Sequence, residues 1–129
     1  MCDVFDNIKL FLPFKAEYVI VARLTASGVA SRIGFDIDTI EDIKVAVSEV
    51  CNKFVNLGSK IANDFTVIFN VGLNKLTITF DCNDKSLRCI FDENDEFGVS
   101  IITALMDEVE FHTENDYIFS ISKVLEETK

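Results

Sequence analysis

The segment that most constrains the fold is DTIEDIKVAVSEVCNKFVN, Asp38–Asn56. Ile40, Ile43, Val47, Val50, Cys51 and Phe54 recur three or four residues apart, so they line one face of a helix while acids and lysines take the other. A helix with one apolar face must lay that face on something. Asp38 reads as the N-cap, Glu41 three residues on completes a capping-box pattern, and Asn56-Leu57-Gly58-Ser59 ends the helix. The period then changes from 3.6 to 2. Phe65, Val67, Phe69 and Val71 alternate with smaller or polar residues, and Lys75–Asp81 alternates again after Asn74. Asp64–Leu73 and Lys75–Asp81 therefore read as a β-hairpin.

The remaining segments fit around this helix and hairpin. Asn7–Pro13 alternates and ends in proline, which suits an edge strand. Ala16–Ile33 reads as a long helix whose apolar stripe is Tyr18, Val21, Leu24, Val29 and Ile33, stopped by Gly34. Gly28 inside it costs ~1 kcal/mol relative to alanine. Cys82–Glu96 is irregular and polar, Val99–Met106 is a short apolar helix, and Asp107–Glu114 with Tyr117–Leu125 forms a second hairpin across Asn115-Asp116. The order β-α-α-β-β-loop-α-β-β predicts an α/β two-layer sandwich, a mixed, largely antiparallel sheet with helices on one face. With 129 residues, 49% apolar and 26% charged, the chain is expected to be a single domain, 1–129, with one core.

A net charge of −10 argues against a nucleic-acid partner and permits a basic protein partner. No apolar run approaches the ~20 residues of a membrane span. The opening MCDVFDNIK lacks the basic and apolar regions of a secretory signal. The cysteines at 2, 51, 82 and 89 form no CxxC pair, and His112 has no ligand cluster around it. Together these features lead to the expectation of a cytoplasmic protein without a metal site.

With these local sequences, the element order resembles the ATPase domain shared by histidine kinases, gyrase, Hsp90 and MutL. Within it, RLTASGVASRIGFDIDTIEDIKVAVSEVCNKFV (Arg23–Val55) and ALMDEVEF (Ala104–Phe111) look most like the bacterial anti-sigma factor serine kinases of the general-stress and sporulation types. The resemblance implies a histidine kinase-like ATPase fold and three nucleotide boxes. In the first, a glutamate activates the attacking hydroxyl and an asparagine four residues later, one helical turn on, holds magnesium. Glu49 matches the glutamate, and Lys53 stands where the asparagine is expected. Asn52 is ~100° away around the helix unless a bulge shifts the register. Lys53 has two readings: a plain i,i+4 ion pair with Glu49, or an ammonium that replaces the magnesium charge at the phosphates.

The second box is an aspartate that accepts the adenine amino proton, with glycine two residues later. Asp81 matches, and Asn83 replaces the glycine. The third is a glycine-x-glycine opening the last helix, where backbone N–H groups cradle phosphates. Gly98 matches the second glycine, but Glu96 stands in place of the first, preceded by Asp92, Glu93 and Asp95. Each like-charge pair at ~6 Å costs about 3 kcal/mol before screening at an effective dielectric of ~20; Lys85 and Arg88 offset part of it. The lid, Cys82–Phe97, is short and has no glycine.

The departures cluster at the phosphate end. The resemblance therefore implies a regulatory protein of anti-sigma type with a degenerate nucleotide site, without a tightly bound cofactor, that binds a sigma factor or an anti-sigma antagonist. The alternative is an active ATP- and magnesium-dependent serine kinase that phosphorylates the antagonist with Glu49 as base. Arg23 falls where sporulation-type members grip the sigma factor, and a homodimer is compatible with the family.

Overall fold

The computed structural model describes residues 4–58, 64–82, 96–111 and 119–125. Strand β1 (Val4–Pro13) leads through a 3-10 turn (Ala16–Tyr18) into helix α1 (Val19–Ile33), then helix α2 (Ile37–Gly58). The hairpin β2 (Asp64–Gly72) and β3 (Lys75–Cys82) follows, then α3 (Glu96–Leu105), β4 (Glu108–Phe111) and β5 (Phe119–Val124). The element order is the one read from the sequence. The five strands lie in the order β1-β2-β3-β5-β4. Every described pairing is antiparallel, so the sheet stands at the antiparallel end of the mixed arrangement expected. β1 is an edge strand, as its terminal proline suggested. The turn at Asn115-Asp116, the residues around Asn83 and His112 lie outside the described residues.

Alternation assigns the two faces of the sheet. Phe65, Val67, Phe69, Leu76, Ile78, Phe80, Phe119 and Ile121 are buried in one cluster with residues of α1, α2 and α3. Phe14 stacks tilted on Phe65, ring centroids 5.1 Å apart, where β1 turns toward α1. The opposite face carries Thr66, Ile68 and Asn70 on β2, Thr77, Thr79 and Asp81 on β3, and Ser120 and Ser122 on β5. Thr66 pairs with Asp81, and Thr77 with Ser122. The Thr77 and Ser122 hydroxyls are 3.2 Å apart. The helices therefore occupy one face of the sheet.

Helix α2 buries Ile43, Ala46, Val47, Val50 and Cys51 completely, with Ile40 half-buried beside them. Its cap differs from the expectation. Asp36, not Asp38, accepts the Thr39 amide on Oδ1 at 2.8 Å, and the Asp36 carbonyl accepts the Ile40 amide at 2.9 Å. The helix starts two residues early because Asp36 comes first after the Gly34 turn. Asp38 is left as a first-turn acid at the positive end of the helix dipole. Glu41 pairs with Lys44 at 2.9 Å instead of closing a capping box.

Helix α1 turns a different face inward from the one predicted. Val19, Ala22, Ala26, Val29 and Ala30 are buried, whereas Tyr18, Val21 and Leu24 are exposed by 39%, 37% and 62%. The helix has apolar residues all round, so large side chains alone do not identify its buried face. The alanines do, because they let α1 approach α2 closely. Gly34 ends the helix at φ 114, a left-handed conformation, with its N–H on the Ala30 carbonyl at 3.1 Å.

Candidate functional site

Glu49 and Lys53 lie one turn apart on α2, their register fixed by the buried Val47, Val50 and Cys51. Both are half-buried. The helix is α throughout Ile37–Gly58 and contains no π-bulge, so Asn52 stays exposed and does not rotate into the metal-ligand position. Beside them, burial pushes the Cys51 thiol up to about 12, which leaves it protonated and inert.

Asp81 is placed differently. It pairs with Thr66 on the sheet face opposite the helices, while its neighbour Phe80 points into the helix-covered core. Helix α2, which carries both Glu49 and Lys53, packs on the other face, so strand alternation puts Asp81 on the opposite side of β3. Gly98 is the third residue of α3. Asn83 lies outside the described residues. Glu49 and Lys53 share one helix, and Asp81 stands near the end of β3.

The Lys53 ammonium stands one turn from the Glu49 carboxylate, and Asn52 between them in sequence faces solvent. Among the described residues no group of three histidine, cysteine, aspartate or glutamate side chains could hold a metal ion. No described helix is long and apolar enough to cross a membrane.

Arg23 lies on α1, half-buried. Its Nε is buried and has no hydrogen-bond partner among the described residues. A buried donor without an acceptor carries a desolvation cost of ~1–3 kcal/mol, which an incoming acceptor would relieve.

Two features escape a reading by periodicity. One is the outward apolar side of α1, where Ile20 and Leu24 are more than half exposed. The other is a set of contacts at the end of α3. Lys123 donates to the Leu105 carbonyl, Asp107 donates its N–H to the Ser122 carbonyl at 2.9 Å, and an Asp107 carboxylate oxygen accepts the Val124 amide at 2.7 Å. Asp107 lies inside the ALMDEVEF stretch, and its pairing with β5 gives that stretch a structural role.

The comparisons with known proteins agree with this architecture. The family described as Histidine kinase-like ATPase domain matches residues 12–118, and the chain belongs to it. It is also similar to proteins named serine-protein kinase RsbW. Identity is 43% over 72 residues with the Bacillus cereus protein, which is 55% of this chain and 45% of that relative. It is 51% over 55 residues with the Bacillus thuringiensis protein, 43% of this chain and 34% of that relative. The Bacillus mycoides protein is 42% identical over 72 residues. The match thus spans less than half the length of these curated relatives. The resemblance to the anti-sigma factor serine kinases within the ATPase superfamily is borne out.

Proposed function

We propose that this chain is an anti-sigma-type regulatory protein that acts by holding a protein partner, a sigma factor or an anti-sigma antagonist, with a nucleotide site that no longer supports phosphoryl transfer. The observation that carries this reading is the pair Glu49 and Lys53 on a continuous α-helix, with Asn52 turned to solvent. Phosphoryl transfer depends on a metal that bridges phosphates and neutralises their charge. An ammonium at the ligand position repels that metal. The position of Asp81 on the sheet face opposite the helices supports the same conclusion at the adenine end. Arg23, with a buried donor left over, supplies the contact to an acidic or carbonyl group of the partner. The protein is expected to work in the cytoplasm.

The alternative, an ATP-dependent serine kinase, is favoured by one observation. Glu49 is half-buried on a continuous helix, a sheltered position that suits a general base. Its relatives are also named as serine-protein kinases.

Calorimetric titration with ATP, with and without magnesium, separates the two readings. The regulatory reading expects binding no tighter than roughly millimolar, a free energy of about −4 kcal/mol. Micromolar binding that chelation abolishes would establish the kinase reading instead. Binding that persists in chelator and collapses in Lys53→Ala would assign the ammonium to the phosphates.

A further inference from the structure

Ile37 and Leu73 are the most exposed large apolar side chains among the described residues, at 78% and 76%. Local structure requires neither. Ile37 opens α2, and Leu73 sits between Gly72 and Asn74 in the β2–β3 turn, a place usually taken by small or polar residues. The two turns are fastened together at one end of the molecule. Leu125 donates its N–H to the Asn74 carbonyl at 2.7 Å, and its Cδ2 lies 3.6 Å from where a Gly34 Cβ would stand. Leu73 also shares a cleft with Ile33, the last residue of α1. Both apolar side chains are therefore presented from fixed turns.

Charge around Ile37 is one-sided. Residues 36–42 carry Asp36, Asp38, Glu41 and Asp42 and no lysine or arginine. Glu41 is paired with Lys44, whereas Asp36, Asp38 and Asp42 form no ion pair among the described residues. The neighbouring lysines are already engaged. Lys75 meets Glu108 at 2.7 Å, and Lys123 donates to the Leu105 carbonyl beside Asp107. Arg32 lies on the other side, where it lines the Leu73 cleft with Asp6. A second cleft, of about 420 Å³, separates the α1–α2 turn from the end of β5. Phe35, Val124 and Leu125 supply its apolar walls, and the carboxylates of Asp36 and Asp107 line it with Lys123. Two carboxylates against one ammonium leave it net negative. Apolar walls with carboxylates among them suit a long side chain with a cationic head.

We propose that this end of the molecule is a docking surface for a basic, partly apolar segment of a partner protein. Its apolar side chains cover Ile37 and Leu73, and an arginine or lysine enters the cleft toward Asp36 and Asp107. Charge selects this occupant. A second copy docked about a two-fold axis would set the same acidic patch against itself. A nucleic acid would bring phosphates to carboxylates. The surface is separate from the proposed nucleotide site and Arg23 contact. Ile37 stands roughly 18 Å along α2 from Glu49, and Arg23 roughly 15 Å along α1 from its last residue. The inference goes beyond the regulatory reading and does not depend on it.

The test is fluorescence anisotropy of a short labelled peptide of alternating arginine and leucine, titrated with the full chain. A peptide with glutamate in place of arginine is run beside it, and circular dichroism checks each variant. Ile37→Ser and Leu73→Ser alter exposed side chains, and the double variant Asp38→Asn/Asp42→Asn removes two of the unpaired acids. Each should keep the wild-type spectrum and weaken binding of the arginine peptide at least tenfold. The double variant Glu17→Gln/Asp64→Asn removes the same charge from the far ends of α1 and β2, and should weaken it less than twofold. Absence of saturable binding to the wild type would overturn the proposal, as would equal binding of the glutamate peptide. A loss as large in Glu17→Gln/Asp64→Asn would reduce the effect to the overall charge of the chain and overturn it too. So would folded Ile37→Ser and Leu73→Ser proteins that bind as the wild type does.

Discussion

Lys123, near the end of β5, donates from Nζ to the backbone carbonyl of Leu105 at 2.8 Å, across the C-terminal end of α3. The last carbonyls of a helix have no partner within it, and a cation there also meets the negative end of the helix dipole. The Asp107 carboxylate completes the contact from the other side, 3.8 Å from the ammonium. Lys123 is largely sheltered, so water compensates poorly for its loss. Lys123→Met should lower stability by about 2 kcal/mol, as expected for a hydrogen bond with one charged partner. Urea unfolding of Lys123→Met, Asp107→Ala and the double variant should show the two losses to be less than additive. Additive losses would mean that the two side chains act separately.

Gly34 poses a conformational constraint of a different kind. Its φ of 114 lies where side chains are rarely accommodated, while a Cβ would meet only Leu125 Cδ2 at a comfortable 3.6 Å. Gly34→Ala should therefore cost ~1–2 kcal/mol through backbone strain and not through a clash. If the loss were steric, Leu125→Ala would rescue it, and thermal melts of the single and double variants should show no rescue.

The Asp36 cap makes stability depend on pH. Bonds from the Thr39 hydroxyl and amide hold the Asp36 carboxyl below its ordinary value of 3.8. A folded-state value below the unfolded one means that the stabilisation is fully present above the unfolded value and is lost as pH falls through the lower folded one. Urea midpoints of wild type and Asp36→Ala should differ at pH 6. The difference should shrink as pH drops below about 3.8. A gap that widens in acid would contradict the assigned cap. Asp36→Asn should retain most of the stability without this pH dependence.

These elements also explain which parts of the fold were legible in the sequence. The second helix was legible because Ile43, Val47 and Val50 are large and regularly spaced. The first helix was not, because its buried face is made of Ala22, Ala26 and Ala30, which register weakly beside the larger Val21 and Leu24 on its outer side. Glu49 and Lys53 followed from the resemblance to the kinase family, and helical spacing added only that they stand one turn apart. The face of Asp81 depends on alternation, and Leu76, Ile78 and Phe80 already carry that signal when the strand is extended to Cys82. Asp107 and Lys123 were not legible, since a contact between residues sixteen apart depends on how β5 returns beside β4.

Cys51 provides a check on core packing. With its thiol raised to about 12 and the side chain fully buried, the reactive thiolate is almost absent at neutral pH. Alkylation at Cys51, followed by mass spectrometry of the individual peptides, should proceed only at the rate of global unfolding and accelerate in urea. Rapid labelling in native buffer would show that α2 opens locally around Glu49 and Lys53.

Arg23 joins the fold to the proposed partner. Its Nε is buried without an acceptor among the described residues, so the free protein bears a cost there and gains little from the guanidinium. Arg23→Ala should leave the melting temperature nearly unchanged or raise it slightly. In a complex the same donor would meet an acidic or carbonyl group, and interface arginines of this kind often contribute ~2 kcal/mol or more. Titration of wild-type and Arg23→Ala proteins against a sigma factor and against an anti-sigma antagonist should show at least a thirtyfold weakening with one of them. Arg23→Lys should restore little, because the fixed geometry of the guanidinium is what holds Nε in place. A marked drop in melting temperature with unchanged affinity would make Arg23 a structural residue and move the partner contact elsewhere on the surface.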